Sequence, residues 1–176
     1  MKNIILIGFM GCGKTSVGKY LSQTLKCEFL DTDELIEQEQ KRSISEIFAA
    51  DGEASFRDME TECLKSLLKR KDDGFVLSVG GGLPIREVNR NLLNELGDVV
   101  LLQVSPEVVY KRLRNDKTRP LLQNKNPLGR ILDLMSARKS YYEDAAMHIV
   151  DVNERDFEQI AADILSVCRK ERPQQK

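Results

Sequence analysis

Residues 4–15 read Ile4-Ile5-Leu6-Ile7-Gly8-Phe9-Met10-Gly11-Cys12-Gly13-Lys14-Thr15. The first four form a short, continuously apolar and mostly β-branched run, the pattern of a strand covered on both faces. The next eight fit G-x-x-x-x-G-K-T, and Lys14 to Leu25 then carries helical spacing. A strand, a glycine-rich turn and a helix in that order are the setting a phosphate-binding loop requires. Glycines let successive backbone N–H groups turn inward on phosphate oxygens, and the helix N-terminus adds its partial positive charge. Lys14 reaches the outer phosphates, and Thr15 offers its hydroxyl to Mg²⁺. A nucleoside triphosphate is the expected ligand.

Outward from this loop, strands and helices alternate. Further strands are predicted at 29–31, 75–79, 99–104 and 148–152, and further helices at 33–40, 43–50, 54–69, 86–96, 106–114, 128–146 and 157–168. Ser43-Ile44-Ser45-Glu46 has the form of a capping box, Gly52 is read as ending the helix it starts, and Gly97 as closing the helix before the fourth strand. Ser105-Pro106 supplies an N-cap and an N1 proline. The alternation predicts an α/β domain, a parallel sheet with helices on both faces, whose ligands collect at the carboxyl ends of the strands. The stretch 115–127 is polar, carries two prolines and has no period, so it is read as a mobile lid. The tail from Lys170 is expected to fray.

With 176 residues the chain is expected to be one domain. Apolar residues at 41% and charged residues at 31% are enough to bury a core and exclude wholesale disorder. The 27 basic and 28 acidic side chains remove the broad positive field of a nucleic-acid binder. That balance is uneven along the chain: 31–62 holds 11 acidic and 3 basic residues, whereas 111–139 holds 9 basic and 2 acidic. An anionic ligand is expected at the second segment. Ile4–Ile7 has neither the length of a membrane span nor the layout of a signal peptide. Cys12, Cys27, Cys63 and Cys168 are scattered, and with the lone His148 they make neither a zinc site nor a disulfide framework. They are read as thiols of a reducing compartment, the cytoplasm.

The chemistry-bearing residues fall just after the strands. Asp31-Thr32-Asp33 ends the second strand, where residues two apart share a side, so both carboxylates can face the site. One would hold Mg²⁺ and the other accept a proton from an attacking hydroxyl, or either would simply cap the next helix. In Phe56-Arg57-Asp58-Met59-Glu60, Arg57 and Glu60 share a helix face and would equally pair on the surface. Gly80-Gly81-Gly82 lets a backbone approach a ligand closely. Lys117 and Arg119 can reach over phosphates when the lid closes, and Arg138, Tyr142 and Ala146 recur on one helix face.

These motifs together, with Arg119-Pro120-Leu121-Leu122 and the R-x-x-x-Y-x-x-x-A helix, resemble the shikimate kinase family in that order over nearly the whole chain. The resemblance implies a five-stranded sheet of order 2-3-1-4-5 on the P-loop kinase fold, with acceptor-binding helices at about 33–62. It implies ATP and Mg²⁺ as cofactors for phosphorylation of the 3-hydroxyl of shikimate. Beside it, the chain is expected to be a cytoplasmic monomer without nucleic-acid or membrane partners. By position the resemblance places Gly11, Cys12, Gly13, Lys14, Thr15, Ser16, Arg112, Arg119 and Arg155 on the nucleotide, and Thr15 and Asp31 on the metal. Asp33, Arg57, Gly80, Gly81, Gly82 and Arg138 then belong to the acceptor, and Lys14, Asp33 and Arg119 to catalysis. The chain departs from the family's usual pattern in 153–157, which lacks a proline, and at Ser140, where proline is common.

Two other classes are disfavoured. A regulatory GTPase would carry N-K-x-D and D-x-x-G, and neither string occurs. A remodelling ATPase would end an apolar strand in Asp-Glu, whereas the third strand ends in Ser78-Val79. A kinase of another polyol acid, such as gluconate, is the nearest alternative.

Overall fold

The computed structural model describes residues 2–114 and 126–170. Strand β1 (Asn3–Ile7) is buried along its whole length, as an apolar run covered on both faces should be. It is the middle of a five-stranded parallel sheet of order β2-β3-β1-β4-β5, with β2 at Glu28–Asp31, β3 at Phe75–Ser78, β4 at Gly97–Gln103 and β5 at His148–Asp151. Each fully buried Ile, Leu or Phe in these strands contributes roughly 1.5–3 kcal/mol relative to exposure. The register places Leu6 of β1 and Asp31 of β2 on either side of Ser78 of β3. The three segments expected to carry chemistry therefore leave the sheet at one level.

Among the described residues seven helices cover the sheet: α1 (Lys14–Leu25), α2 (Thr32–Gln40), α3 (Ile44–Leu68), α4 (Glu87–Leu96), α5 (Pro106–Leu113), α6 (Pro127–Ala145) and α7 (Phe157–Lys170). The capping box at Ser43 and Glu46 is formed in both directions. Ser105 and Pro106 open α5 as the sequence indicates. Asn126 caps α6 by accepting from the Gly129 N–H at 3.0 Å. Among the described residues no helix is long and apolar enough to cross a membrane.

Both helix-ending glycines do what the sequence reading asks, each in its own geometry. Gly52, at φ 79° and ψ 173°, is non-helical and breaks α3 into two halves, which Phe48 and Phe56 join with ring centroids 4.8 Å apart. Gly97 closes α4 with its N–H donating to the Leu93 carbonyl. At φ 170° it is already extended and begins β4, and a Cβ there would press on the Asn3 carbonyl oxygen. A short 3₁₀ turn at Leu83–Ile85, led by Pro84, follows the glycine triplet. The lid segment falls almost wholly outside the described residues.

Candidate active site

The loop between β1 and α1 bends around Gly13, which takes φ 99° as the N-cap of α1 and would be strained by any side chain. No side chain caps α1, so its first-turn amides open on a cavity of about 300 Å³ that Lys14, Thr15 and Ser16 line. This is the arrangement that holds a phosphate group. Lys14 lies across the loop, donating from Nζ to the carbonyls of Gly8 at 2.8 Å and Phe9 at 3.2 Å. Met10, Gly11 and Gly13 complete that wall, and Asp31, Asp33, Ser78, Val79 and Gly81 form the other.

Asp31 caps the next helix and at the same time faces the phosphate loop. Its Oδ1 accepts from the Asp33 N–H at 3.0 Å and caps α2, while its Oδ2 faces the Thr15 hydroxyl at 3.4 Å. A hydroxyl and one carboxylate beside a phosphate site fit Mg²⁺, which keeps several waters and takes few protein ligands. Asp33 reaches the cavity for a different reason than strand alternation. The strand ends at Asp31, and Asp33 sits in the first turn of α2, which wraps its side chain back over the strand ends.

Arg57 and Glu60 are paired at 2.8 Å, but the pair is not on the surface: the Glu60 side chain is 0% exposed and that of Arg57 only 14%. The guanidinium also meets Glu53 at 3.0 Å and lies against Gly82, where a Cβ would be 2.5 Å from both terminal nitrogens. Gly80 plays the same part for carboxylates, since a Cβ there would lie 2.8 Å from Asp33 Oδ1 and 3.2 Å from Glu60 Oε1. The amide of Gly80 donates to Thr32 Oγ1 at 3.0 Å, which ties the loop to the end of β2. From the opposite side, the Tyr142 hydroxyl and the Arg138 guanidinium donate to the Gly81 carbonyl at 2.6 and 3.4 Å. Burial pushes the Tyr142 phenol up to about 12, so it remains a donor.

Two carboxylate oxygens, Asp33 Oδ1 and Glu60 Oε1, are buried without a hydrogen-bond partner. Burial pushes Asp33 up to about 6, with the charge of Asp31 adding and that of Lys14 opposing. Burial likewise pushes Glu60 up to about 7, opposed by the hydrogen bond and charge of Arg57. Unpartnered carboxylate oxygens next to a guanidinium and a glycine loop are suited to a ligand with hydroxyl groups. Glu60 is the site residue that sequence reasoning undervalued. Its signal was the F-R-x-x-E spacing, which cannot say whether the pair faces water.

Because Glu60 is protonated more readily folded than unfolded, its stabilising contribution is full below its ordinary carboxylate range and is lost as pH rises through about 7. Melting curves of Glu60→Gln and the parent chain should therefore diverge between about pH 5 and 8. The variant is expected to gain relative stability as pH rises, and a constant difference would disprove the assignment.

Arg112 spans the outer side of the phosphate loop, donating to the carbonyls of Gly11 at 3.1 Å, Cys12 at 3.3 Å and Val152 at 3.2 Å. Arg155 is engaged in its own turn, with the Asp151 carbonyl at 3.0 Å and Asp163 at 2.8 Å. The structure thus brings Arg112 to the loop but ties Arg155 to β5 and α7. Arg119 and Lys117 lie outside the described residues.

A phosphate loop beside a carboxylate-bearing cavity, with Arg57 and Arg138 against the neighbouring glycine loop on a 2-3-1-4-5 sheet, defines the class of P-loop kinases. Comparison with known proteins narrows the class. The shikimate kinase family model matches residues 10–169. Shikimate kinase of Bacillus cereus strain G9842 is 42% identical over 91% of this chain and 94% of its own length. Among solved structures, shikimate kinase from Acinetobacter baumannii in complex with shikimate superposes with a TM-score of 0.89 at 37% identity, covering 100% of this chain and 96% of that one. Shikimate kinase from Aquifex aeolicus gives 0.80 at 38% identity, covering 93% and 94%. The chain belongs to the shikimate kinase family.

Proposed function

We propose that the chain transfers the γ-phosphoryl group of ATP to the 3-hydroxyl of shikimate, giving shikimate 3-phosphate and ADP in aromatic amino acid biosynthesis. Family membership carries the reaction, and the convergence of Arg57, Arg138 and Asp33 on the glycine loop beside the phosphate loop is the observation that supports it here. The two guanidiniums match the acceptor carboxylate, and the backbone of Gly80, Gly81 and Gly82 leaves room for the ring. Asp33 accepts the proton of the attacking hydroxyl as its oxygen bonds to the γ-phosphorus and ADP departs. Gly11, Cys12, Gly13 and Ser16 hold the phosphates through their backbone, Lys14 offsets the charge on the outer ones, and Arg112 lies toward the base. Thr15 and Asp31 would hold Mg²⁺, which would neutralise part of the charge on the phosphates. Arg119 is assigned to the phosphates from its place in the lid motif. A site assembled within one chain supports a monomer, and the cysteine pattern supports the cytoplasm.

ADP release measured with shikimate, with gluconate and with no acceptor tests this reading, and only shikimate should give rapid turnover. Arg57→Ala and Arg138→Ala are each expected to lower kcat/KM for shikimate at least about thirtyfold, because a desolvated carboxylate loses a partner, with ATP binding nearly intact. Normal shikimate kinetics in both variants would remove the acceptor assignment.

A further inference from the structure

Two consecutive residues of α4 hold the turn that follows the glycine triplet. The amides of this 3₁₀ turn are satisfied from within, Leu83 by the Gly80 carbonyl at 3.0 Å and Ile85 by the Gly82 carbonyl at 3.2 Å. Its three carbonyls are all taken by α4 side chains. Asn89, fully buried, donates from Nδ2 to the Leu83 carbonyl at 3.0 Å. Arg90 donates to the carbonyls of Pro84 at 3.0 Å and Ile85 at 2.9 Å.

The far ends of these two side chains go to different helices. Asn89 Oδ1 accepts from the Thr61 hydroxyl at 2.8 Å, on the stretch of α3 that carries Arg57 and Glu60. Arg90 Nε pairs with Asp144 at 2.5 Å, and its guanidinium lies 5.4 Å from the Tyr141 ring centroid, on the stretch of α6 that carries Arg138 and Tyr142. The glycine loop has no side chains with which to hold itself in place. Arg57 rests on it from one side, and Arg138 and Tyr142 bind it from the other. The spacing of the two guanidiniums is consequently set through the loop and the turn behind it.

We propose that Asn89 and Arg90 are positioning residues for the acceptor: together they fix the separation of Arg57 and Arg138 across the glycine loop, and with it the seat of the acceptor carboxylate. This rests on the acceptor pocket proposed above and extends it to residues that do not line it. The phosphate loop hangs from β1 and α1, so nucleotide binding should be independent of the bracket.

The test combines kinetics at varied shikimate, ADP binding and melting curves. Asn89→Ala and Arg90→Ala are expected to raise KM for shikimate by about tenfold or more while ADP affinity stays within about twofold, since misplacing a binding group by a fraction of an ångström is costly. Thr61→Val keeps the side-chain shape and removes only the hydroxyl, so it should raise the same KM by about threefold or more, and Thr61→Ser should restore it. The valine and serine pair decides the matter if Asn89→Ala does not fold. A shikimate KM unchanged in Thr61→Val and Arg90→Ala would overturn the proposal, as would shikimate and ADP affinities falling in step with melting temperature. Absence of shikimate-dependent turnover in the parent chain would instead overturn the reading of the pocket.

Discussion

Lys14→Ala is expected to lower kcat for shikimate at least about a thousandfold, because a preorganised cation aimed at charge that shifts during phosphoryl transfer carries one of the largest single contributions to catalysis. The structure adds a second consequence. Lys14 Nζ holds the carbonyls of Gly8 and Phe9, so its removal also loosens the loop from within. Lys14→Met, which keeps most of the aliphatic stem but likewise lacks the ammonium, controls for lost packing: both variants should lose turnover, and a shared fall in melting temperature would report the Nζ contacts to the loop. Turnover with MgATP within tenfold of the parent chain in either variant would contradict the loop's assignment.

The phosphate loop was legible because its function is written in local sequence: a strand, three glycines, Lys14 and Thr15 act through backbone geometry that the spacing itself dictates. Strand order followed from the resemblance and is the order observed. What spacing could not show was depth. Arg57 and Glu60 at i and i+3 read identically whether they face water or the core, and only the packing of α3 against Gly80 and Gly82 decides that they are buried. The same limit applies to Asp33, whose approach to the cavity depends on where β2 stops, a boundary of two residues that periodicity does not resolve. Asn89 and Arg90 fall within a stretch read only as a helix; their partners are carbonyls and side chains of other elements, and backbone carbonyls leave no mark in a sequence.

Asp33→Asn is expected to stabilise the chain and inactivate it. Asp33 Oδ1 is buried without a partner, and burial with the neighbouring Asp31 charge lifts the carboxyl to about 6. The folded state therefore holds this proton more tightly than the unfolded state. The contribution of Asp33 to stability is full below the ordinary carboxylate range, declines as pH rises through about 6, and above that leaves the cost of a poorly solvated charge. An amide removes that cost, which is of order 1–3 kcal/mol at one pKa unit per 1.36 kcal/mol. In a chain of this size it should appear as a rise in melting temperature of about 2–10 °C at pH 7.5, shrinking toward pH 4. The same substitution removes the group proposed to take the proton of the acceptor hydroxyl, so kcat should fall by about 10²–10⁴-fold. The parent chain's kcat/KM should in turn decline below about pH 6 as Asp33 protonates in the free enzyme. Glu60 shares the low-dielectric ground beside Gly80 and feels the Asp33 charge, so removing that charge should bring the Glu60 carboxyl down and make the double variant with Glu60→Gln less than additive in stability. Melting curves across pH with steady-state rates on the same samples decide it. A lower melting temperature at pH 7.5, or a rate loss under tenfold, would mean that Asp33 is a structural partner and that another group takes the proton.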